Sequence, residues 1–301
     1  MSICRKCLLF IVITSASTLF GQTTAHVTFT TIDVPGGYLY NNVGGINSFG
    51  VMVGSYSPTN GSGLDKHGFI YDNGVFTYFD YPNAESTFGQ GINDSDIVVG
   101  SADFSGGLIV HGFFYDGQVF TQFDVPGQPQ TFPYGINNAG YVVGSAGDAG
   151  SQVKGFRLQN GVYKTITFPG QALIDTASGI NNLGQIAGYT INGTPESAYL
   201  YNGTFKQIDY PKAPNESRAQ GINDSGVAVG IYFIGGGCYG YAYKNGKYLS
   251  FDYPGAICTG ANGINNAGQV VGQYLLPDFS WHGFVTSPIT GADLLGVENS
   301  Q

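Results

Sequence analysis

A chain of 301 residues with 42% hydrophobic and 14% aromatic residues but only 10% charged residues can bury a large core and is too rich in Tyr and Phe to be disordered. Its 48 glycines argue against long helices. A net charge of −9 repels phosphate backbones and anionic headgroups, so nucleic acid and membrane surfaces are set aside as partners.

Residues 1–21 read as a signal peptide. Arg5 and Lys6 supply the positive start, and Cys7 to Ile13 with Leu19 and Phe20 form an apolar stretch broken by Thr14, Ser15, Ser17 and Thr18. Its continuous part is too short for a spanning helix, which needs about 20 residues, and no later stretch reaches that length. A secreted or periplasmic protein is expected, with residues 22–301 forming one domain.

The rest is organised by a repeat. The phrase Gly135-Ile136-Asn137-Asn138-Ala139-Gly140-Tyr141-Val142-Val143-Gly144 has counterparts starting at Gly45, Gly91, Gly179, Gly221 and Gly263, with steps of 46, 44, 44, 42 and 42 residues. A period in the forties marks a repeat architecture. Each repeat holds four strand-like pieces. The first ends in Gly-Ile-Asn and turns tightly into the second, because the Asn side chain bonds nearby backbone and the following Gly accepts positive φ. Asp96 replaces that Gly in one copy and tolerates the same conformation.

The third piece begins His67-Gly68-Phe69, His111-Gly112-Phe113 or His282-Gly283-Phe284, with Lys154, Ser197 and Tyr239 at the His position elsewhere. Asn73-Gly74, Asn160-Gly161, Asn202-Gly203 and Asn245-Gly246 predict type I′ hairpins into the fourth piece. That piece ends in Pro (Pro82, Pro126, Pro169, Pro211, Pro254), which cannot donate to a ladder. Its large residues stand three apart, as at Phe76 and Phe79, so either both faces are buried or a bulge lies between them. The last copy lacks a fourth piece, while Phe29 to Pro35 is a fourth piece with nothing before it. The predicted fold is all-β, a six-bladed β-propeller of four-stranded blades in which the N-terminal strand completes the C-terminal blade.

In the His-Gly-Phe piece, the Phe-Asp-x-Pro exit and the Gly-Ile-Asn-Asn-Ala-Gly-x-Val-Val-Gly phrase, residues 27–286 resemble the bacterial HAF family of extracellular repeats. Here Gly stands in the middle of the name-giving tripeptide, and half the copies lack its His. The resemblance implies export and brings no catalytic residues with it.

Residues recurring in register are expected to serve the fold. Asp33, Asp80, Asp124, Asp209 and Asp252 should bond strand-end backbone groups. His67, His111 and His282 stand in separate repeats, where convergence on a metal is not expected. No nucleophile elbow, phosphate loop or Cys-x-x-Cys pair is present, so no catalytic residue, metal or cofactor is assigned. Cys238 and Cys258, 20 residues apart in an exported chain, are expected to form a disulfide stapling the last two blades. Ligand-binding candidates are the aromatics on the link between second and third pieces: Tyr56, Phe104, Tyr232, Phe233, Phe279 and Trp281, the only tryptophan. The expected function is a non-enzymatic, monomeric binding scaffold for extracellular glycan or a surface protein. A polysaccharide-acting hydrolase or lyase is the alternative, and a matrix protein a third reading.

Overall fold

The computed structural model describes residues 27–295 apart from 60–64, 149–151, 171 and 193–195; the signal peptide expected over residues 1–21 lies outside the described residues. Among the described residues the fold is all-β, with one short helix after the last strand.

After β1 (Phe29–Ile32), the chain builds units of consecutive antiparallel strands. Unit one is β2 (Tyr40–Ile46), β3 (Met52–Ser57), β4 (His67–Asp72) and β5 (Val75–Phe79). Unit two is β6 (Ser86–Ile92), β7 (Val98–Phe104), β8 (Ile109–Tyr115) and β9 (Phe120–Phe123). Unit three is β10 (Gln130–Ile136), β11 (Val142–Gly147), β12 (Lys154–Gln159) and β13 (Val162–Ile166). Unit four is β14 (Ile174–Ile180), β15 (Ile186–Ile191), β16 (Glu196–Tyr201) and β17 (Phe205–Gln207). Unit five is β18 (Ser217–Ile222), β19 (Ala228–Ile234), β20 (Gly237–Lys244) and β21 (Lys247–Phe251). The last unit holds β22 (Cys258–Ile264), β23 (Val270–Leu275) and β24 (Trp281–Thr286), and its fourth strand is β1, which pairs β24 from Phe29↔Thr286 to Ile32↔Gly283. Helix α1 (Gly291–Leu295) follows.

Neighbouring units touch through a recurring parallel contact between a third strand and the next first strand: Val110↔Gln130, Val153↔Ile174, Glu196↔Glu216 and Cys238↔Cys258, with Trp281↔Tyr40 joining the last unit to the first. By these contacts the strands group into sheets of 12, 8 and 4 strands, all open. Cys238 and Cys258 are disulfide-bonded across one such contact, with Cα atoms 4.5 Å apart. Closing a loop of this size contributes about 3 kcal/mol.

The repeated phrase has a physical reason. A Cβ on Gly179 would meet Gln220 O at 2.6 Å and Gly221 Cα at 2.9 Å, and one on Gly221 would meet Gly263 Cα at 2.9 Å. First strands of adjacent units approach backbone to backbone, which only glycine permits. The next-but-one residue, Asn, is buried and does two jobs. Its Oδ1 accepts the N–H four residues on, as from Tyr141 to Asn137, in every copy. Its Nδ2 donates to the carbonyl of the matching Asn in the next unit, from Asn47 to Asn93, Asn137, Asn181, Asn223 and Asn265 and back to Asn47, at 3.0–3.3 Å. The turn glycine takes positive φ, 76° at Gly140, and Asp96 takes 56° in its place.

A second recurring bond ties each fourth strand to the following unit. The N–H just before the exit proline donates to a polar side chain on the next first strand: Val34 to Asn41, Tyr81 to Thr87, Val125 to Thr131, Phe168 to Asp175, Tyr210 to Ser217 and Tyr253 to Thr259. Between these clamps the side chains fill the gaps between units. Phe76 packs with Ile32, Val43 and Phe69, whereas Phe79 packs with Val53, Ile92 and Phe113, so both faces of β5 are covered. Asn73-Gly74, Asn160-Gly161 and Asn245-Gly246 have positive φ at both positions, as type I′ turns require. Asn202-Gly203 departs from the expectation: Tyr201 pairs with Phe205, Thr204 lengthens the loop to three residues, and only Gly203 has positive φ.

Two expectations follow. Replacing Asn137 by Ala orphans the N–H groups of Ala139 and Tyr141 and the carbonyl of Asn181, and urea unfolding should show a loss of roughly 2–4 kcal/mol. Asp175 is the one carboxylate among the clamp residues, and burial, against the bonds from Phe168 N–H and the Tyr199 hydroxyl, raises its pKa from 3.8 to about 6. A raised folded pKa means that the favourable proton is held at low pH and lost as pH rises from about 4 through about 6, at a cost on the order of 3 kcal/mol. Asp175→Asn, for which Asn41 is the precedent, should raise the urea midpoint at pH 8, with the gain vanishing toward pH 4.

Candidate functional site

Each first strand carries a β-bulge immediately before its Gly-Ile-Asn, seen as register shifts at Val43/Gly45, Gly89/Gly91, Pro133/Gly135, Ala177/Gly179, Ala219/Gly221 and Ala261/Gly263. A bulge leaves one residue out of the ladder and re-aims it. Those residues are Gly44, Gln90, Tyr134, Ser178, Gln220 and Asn262, and all six line one chamber of about 140 Å³, together with Tyr40, Asn42, Tyr189 and Gln273. The position is structurally constant and chemically variable. Deeper in, the isoleucines of the six Gly-Ile-Asn phrases line two smaller cavities of about 70 and 60 Å³, the second shared with the Asn turns.

The chamber wall is made of amides, hydroxyls and phenols. Asn262 Nδ2 donates to Asn42 Oδ1 at 2.7 Å and to Val43 O at 2.9 Å, which fixes that side. Ser178 is only 8% exposed, yet its Oγ has no protein partner, and the same holds for Gln273 Oε1. Buried polar atoms without protein partners are rare and costly, and these two stand in residues of the chamber wall. Burial pushes the Tyr40 and Tyr134 phenols above their ordinary pKa, so both hold their protons at neutral pH. Two cations stand behind chamber tyrosines: Lys66 Nζ lies 4.2 Å from the Tyr40 ring centre, and the Arg218 guanidinium 5.2 Å from that of Tyr189.

The aromatic candidates divide. Tyr56, Phe104, Tyr232 and Phe233 lie on strands β3, β7 and β19 rather than on links, because the second strands extend further than the repeat phrase indicates. Three of them pack in recurring triads: Tyr38–Tyr56–His67, Tyr81–Phe104–His111 and Tyr210–Tyr232–Tyr239. Tyr253–Tyr274–His282 is a fourth, and Tyr274 was not singled out by the sequence. Recurrence gives these three a packing role. Phe233 covers Arg218 at 5.2 Å. Trp281 is half-buried on β24, beside the chamber residue Tyr40. Of these six candidates, Phe279 is the one fully presented ring, 76% exposed at φ 66°, a left-handed conformation rare for a bulky residue.

The histidines pair with the aspartates: His67 Nδ1 lies 2.9 Å from Asp80, His111 Nδ1 3.0 Å from Asp124 and His282 Nδ1 2.6 Å from Asp33. Backbone bonding, the expected role, holds for Asp33 with Gly283 N–H and for Asp209 with Ala198 N–H, while Asp252 accepts from Thr259 Oγ1. Ser280 Oγ lies 2.7 Å from His282 Nε2, which completes a Ser–His–Asp chain. However, Ser280 is 3% exposed and its hydroxyl also donates to Asp278 at 2.6 Å. In unit one a carboxylate, Asp65, takes the Nε2 contact instead. The pair is a repeated strut, and the serine an attachment to it. A fluorophosphonate probe should leave Ser280 unlabelled, as read by mass spectrometry of the modified peptide.

No protein-family model and no curated protein matches the sequence. Among solved structures, a protein assigned as a gluconolactonase aligns with a TM-score of 0.54 at 10% identity, covering 87% of this chain and 93% of that one. The β-propeller domain of the Trilobed protease from Pyrococcus furiosus aligns at 0.50 and 13% identity, covering 80% and 79%. Streptogramin B lyase aligns at 0.49 and 11% identity, covering 89% of each chain. At such identities the likeness shows the fold alone: the chain is built as a β-propeller.

Proposed function

We propose that this chain is an exported, monomeric propeller of six blades, closed by its N-terminal strand, which binds an extracellular glycan in the chamber. Closure is supported by β1 serving as the fourth strand of the last unit and by the Asn265-to-Asn47 bond, which repeats the bond between every other pair of neighbours. The Cys238–Cys258 disulfide suits an oxidising compartment and so agrees with the signal peptide read in residues 1–21 and with membership of the HAF extracellular repeats. Among the described residues no helix is long and apolar enough to cross a membrane.

The observation that carries the ligand class is the chamber wall. Asn42, Gln90, Gln220 and Gln273 offer amide donors and acceptors, Tyr40, Tyr134 and Tyr189 add hydroxyls on flat apolar rings, and Ser178 adds a further hydroxyl. That combination matches the alternating hydroxyls and C–H faces of a sugar. Burial keeps the Tyr40 and Tyr134 phenols protonated at neutral pH, so both can donate hydrogen bonds to a ligand.

A glycan array probed with the purified chain, followed by reducing-sugar release from every hit, tests this. Retention without turnover is expected, with about tenfold weaker binding by the S178A/Q220A double variant from two lost hydrogen bonds. Turnover of a hit would transfer the site to the enzyme class.

A further inference from the structure

Arg218 stands on β18 at a position that is Asn42, Phe88, Phe132, Thr176 and Gly260 in the other units, so no demand of the repeat put it there. Its surroundings are built. Nε and Nη2 donate to Glu196 Oε2 and Oε1, both at 2.6 Å. Tyr189 and Phe233 cover its guanidinium, each 5.2 Å from ring centre to Cζ. Burial works against the charge, but the Glu196 bonds and neighbouring groups outweigh it and hold the group above its ordinary pKa.

A guanidinium has two donor edges. The Nε/Nη2 edge is spent on Glu196, and among the described residues no acceptor bonds Nη1. The side chain keeps 30% exposure. Ion pair and rings thus lock a planar fork whose remaining Nη1/Nη2 edge is free, and such a fork fits the two oxygens of a carboxylate. Arg218 is not itself a lining residue of the chamber; it borders it through Tyr189, which lines the chamber with Tyr134, Ser178 and Gln220. Glu196 cancels the net charge of the pair, so the attraction is short-ranged and directional, which rewards bidentate geometry over bulk anionic charge.

We propose that Arg218 anchors a ligand carboxylate, and that the glycan is therefore a uronate-bearing saccharide whose hydroxyls reach Ser178, Tyr134 and Gln220. This rests on the saccharide reading above and narrows it to acidic sugars.

The test uses the full chain and a matched pair of probes, an oligogalacturonate and the same oligosaccharide with its carboxyl groups reduced to alcohols, in titration calorimetry. Wild type should bind the acidic form at least about tenfold more tightly than the reduced form. R218K keeps a positive charge opposite Glu196 but loses the fork, so its preference for the acidic form should fall several-fold below that of wild type. Thermal unfolding of R218K checks that the variant is folded, and Phe233→Leu, which uncovers the guanidinium without removing it, should weaken the preference in the same direction. Equal binding of both probes by wild type would overturn the carboxylate anchor and leave the saccharide reading standing. Binding of neither probe, with no hit on the array, would overturn both.

Discussion

The structure depends on how closely the first strands of neighbouring units approach. Where Gly179 faces Gly221, and Gly221 faces Gly263, there is no room for a Cβ, so dispersion contacts there are made by backbone itself. Polypeptide packed that tightly leaves carbonyl groups that water cannot reach, and the buried asparagines answer that need. Gly and Asn in Gly-Ile-Asn are thus two halves of one solution. One permits the approach and the other satisfies the polar groups that the approach strands.

The same constraint creates the chamber. A strand drawn inward at glycine has to bend, and the bulge just before it takes up the bend. The expelled residue escapes the packing demands on either side and can be Gly44, Gln90, Tyr134, Ser178, Gln220 or Asn262. A strict structural rule at one position thereby frees the position before it.

This explains what could be read from the sequence. Strands, turns, the exchange of β1 into the last unit and the cysteine pair were legible, because the repeat writes each several times and packing leaves little choice of residue. The clamp before the exit proline was not, since Asn41, Thr87, Thr131, Asp175, Ser217 and Thr259 share only an acceptor oxygen, and identity-based reading passes over a shared function carried by unlike side chains. The His–Asp pairs join residues 13 apart across a hairpin in units one and two, a spacing visible once the hairpin register is known. Among the aromatic candidates, Tyr56, Phe104 and Tyr232 belong to a stacking pattern that recurs with shifted sequence positions, whereas Phe233, Phe279 and Trp281 stand outside it. The chamber residues were in plain view one place before each Gly-Ile-Asn, and only the bulge reveals where they point.

The departures at the head of the third strand fall in neighbouring units. The His–Asp struts belong to units one, two and six, while units three, four and five carry Lys154, Ser197 and Tyr239 at the His position. Tyr134, Ser178, Tyr189, Gln220 and Arg218 all come from those same three units. Glu196 stands one residue before Ser197, at the head of the third strand. Its carboxylate pairs with Arg218 of the next unit. The side of the molecule that lacks the His–Asp struts is thus the side that carries the Arg218–Glu196 pair, so the scaffold is not symmetric in its charged contacts.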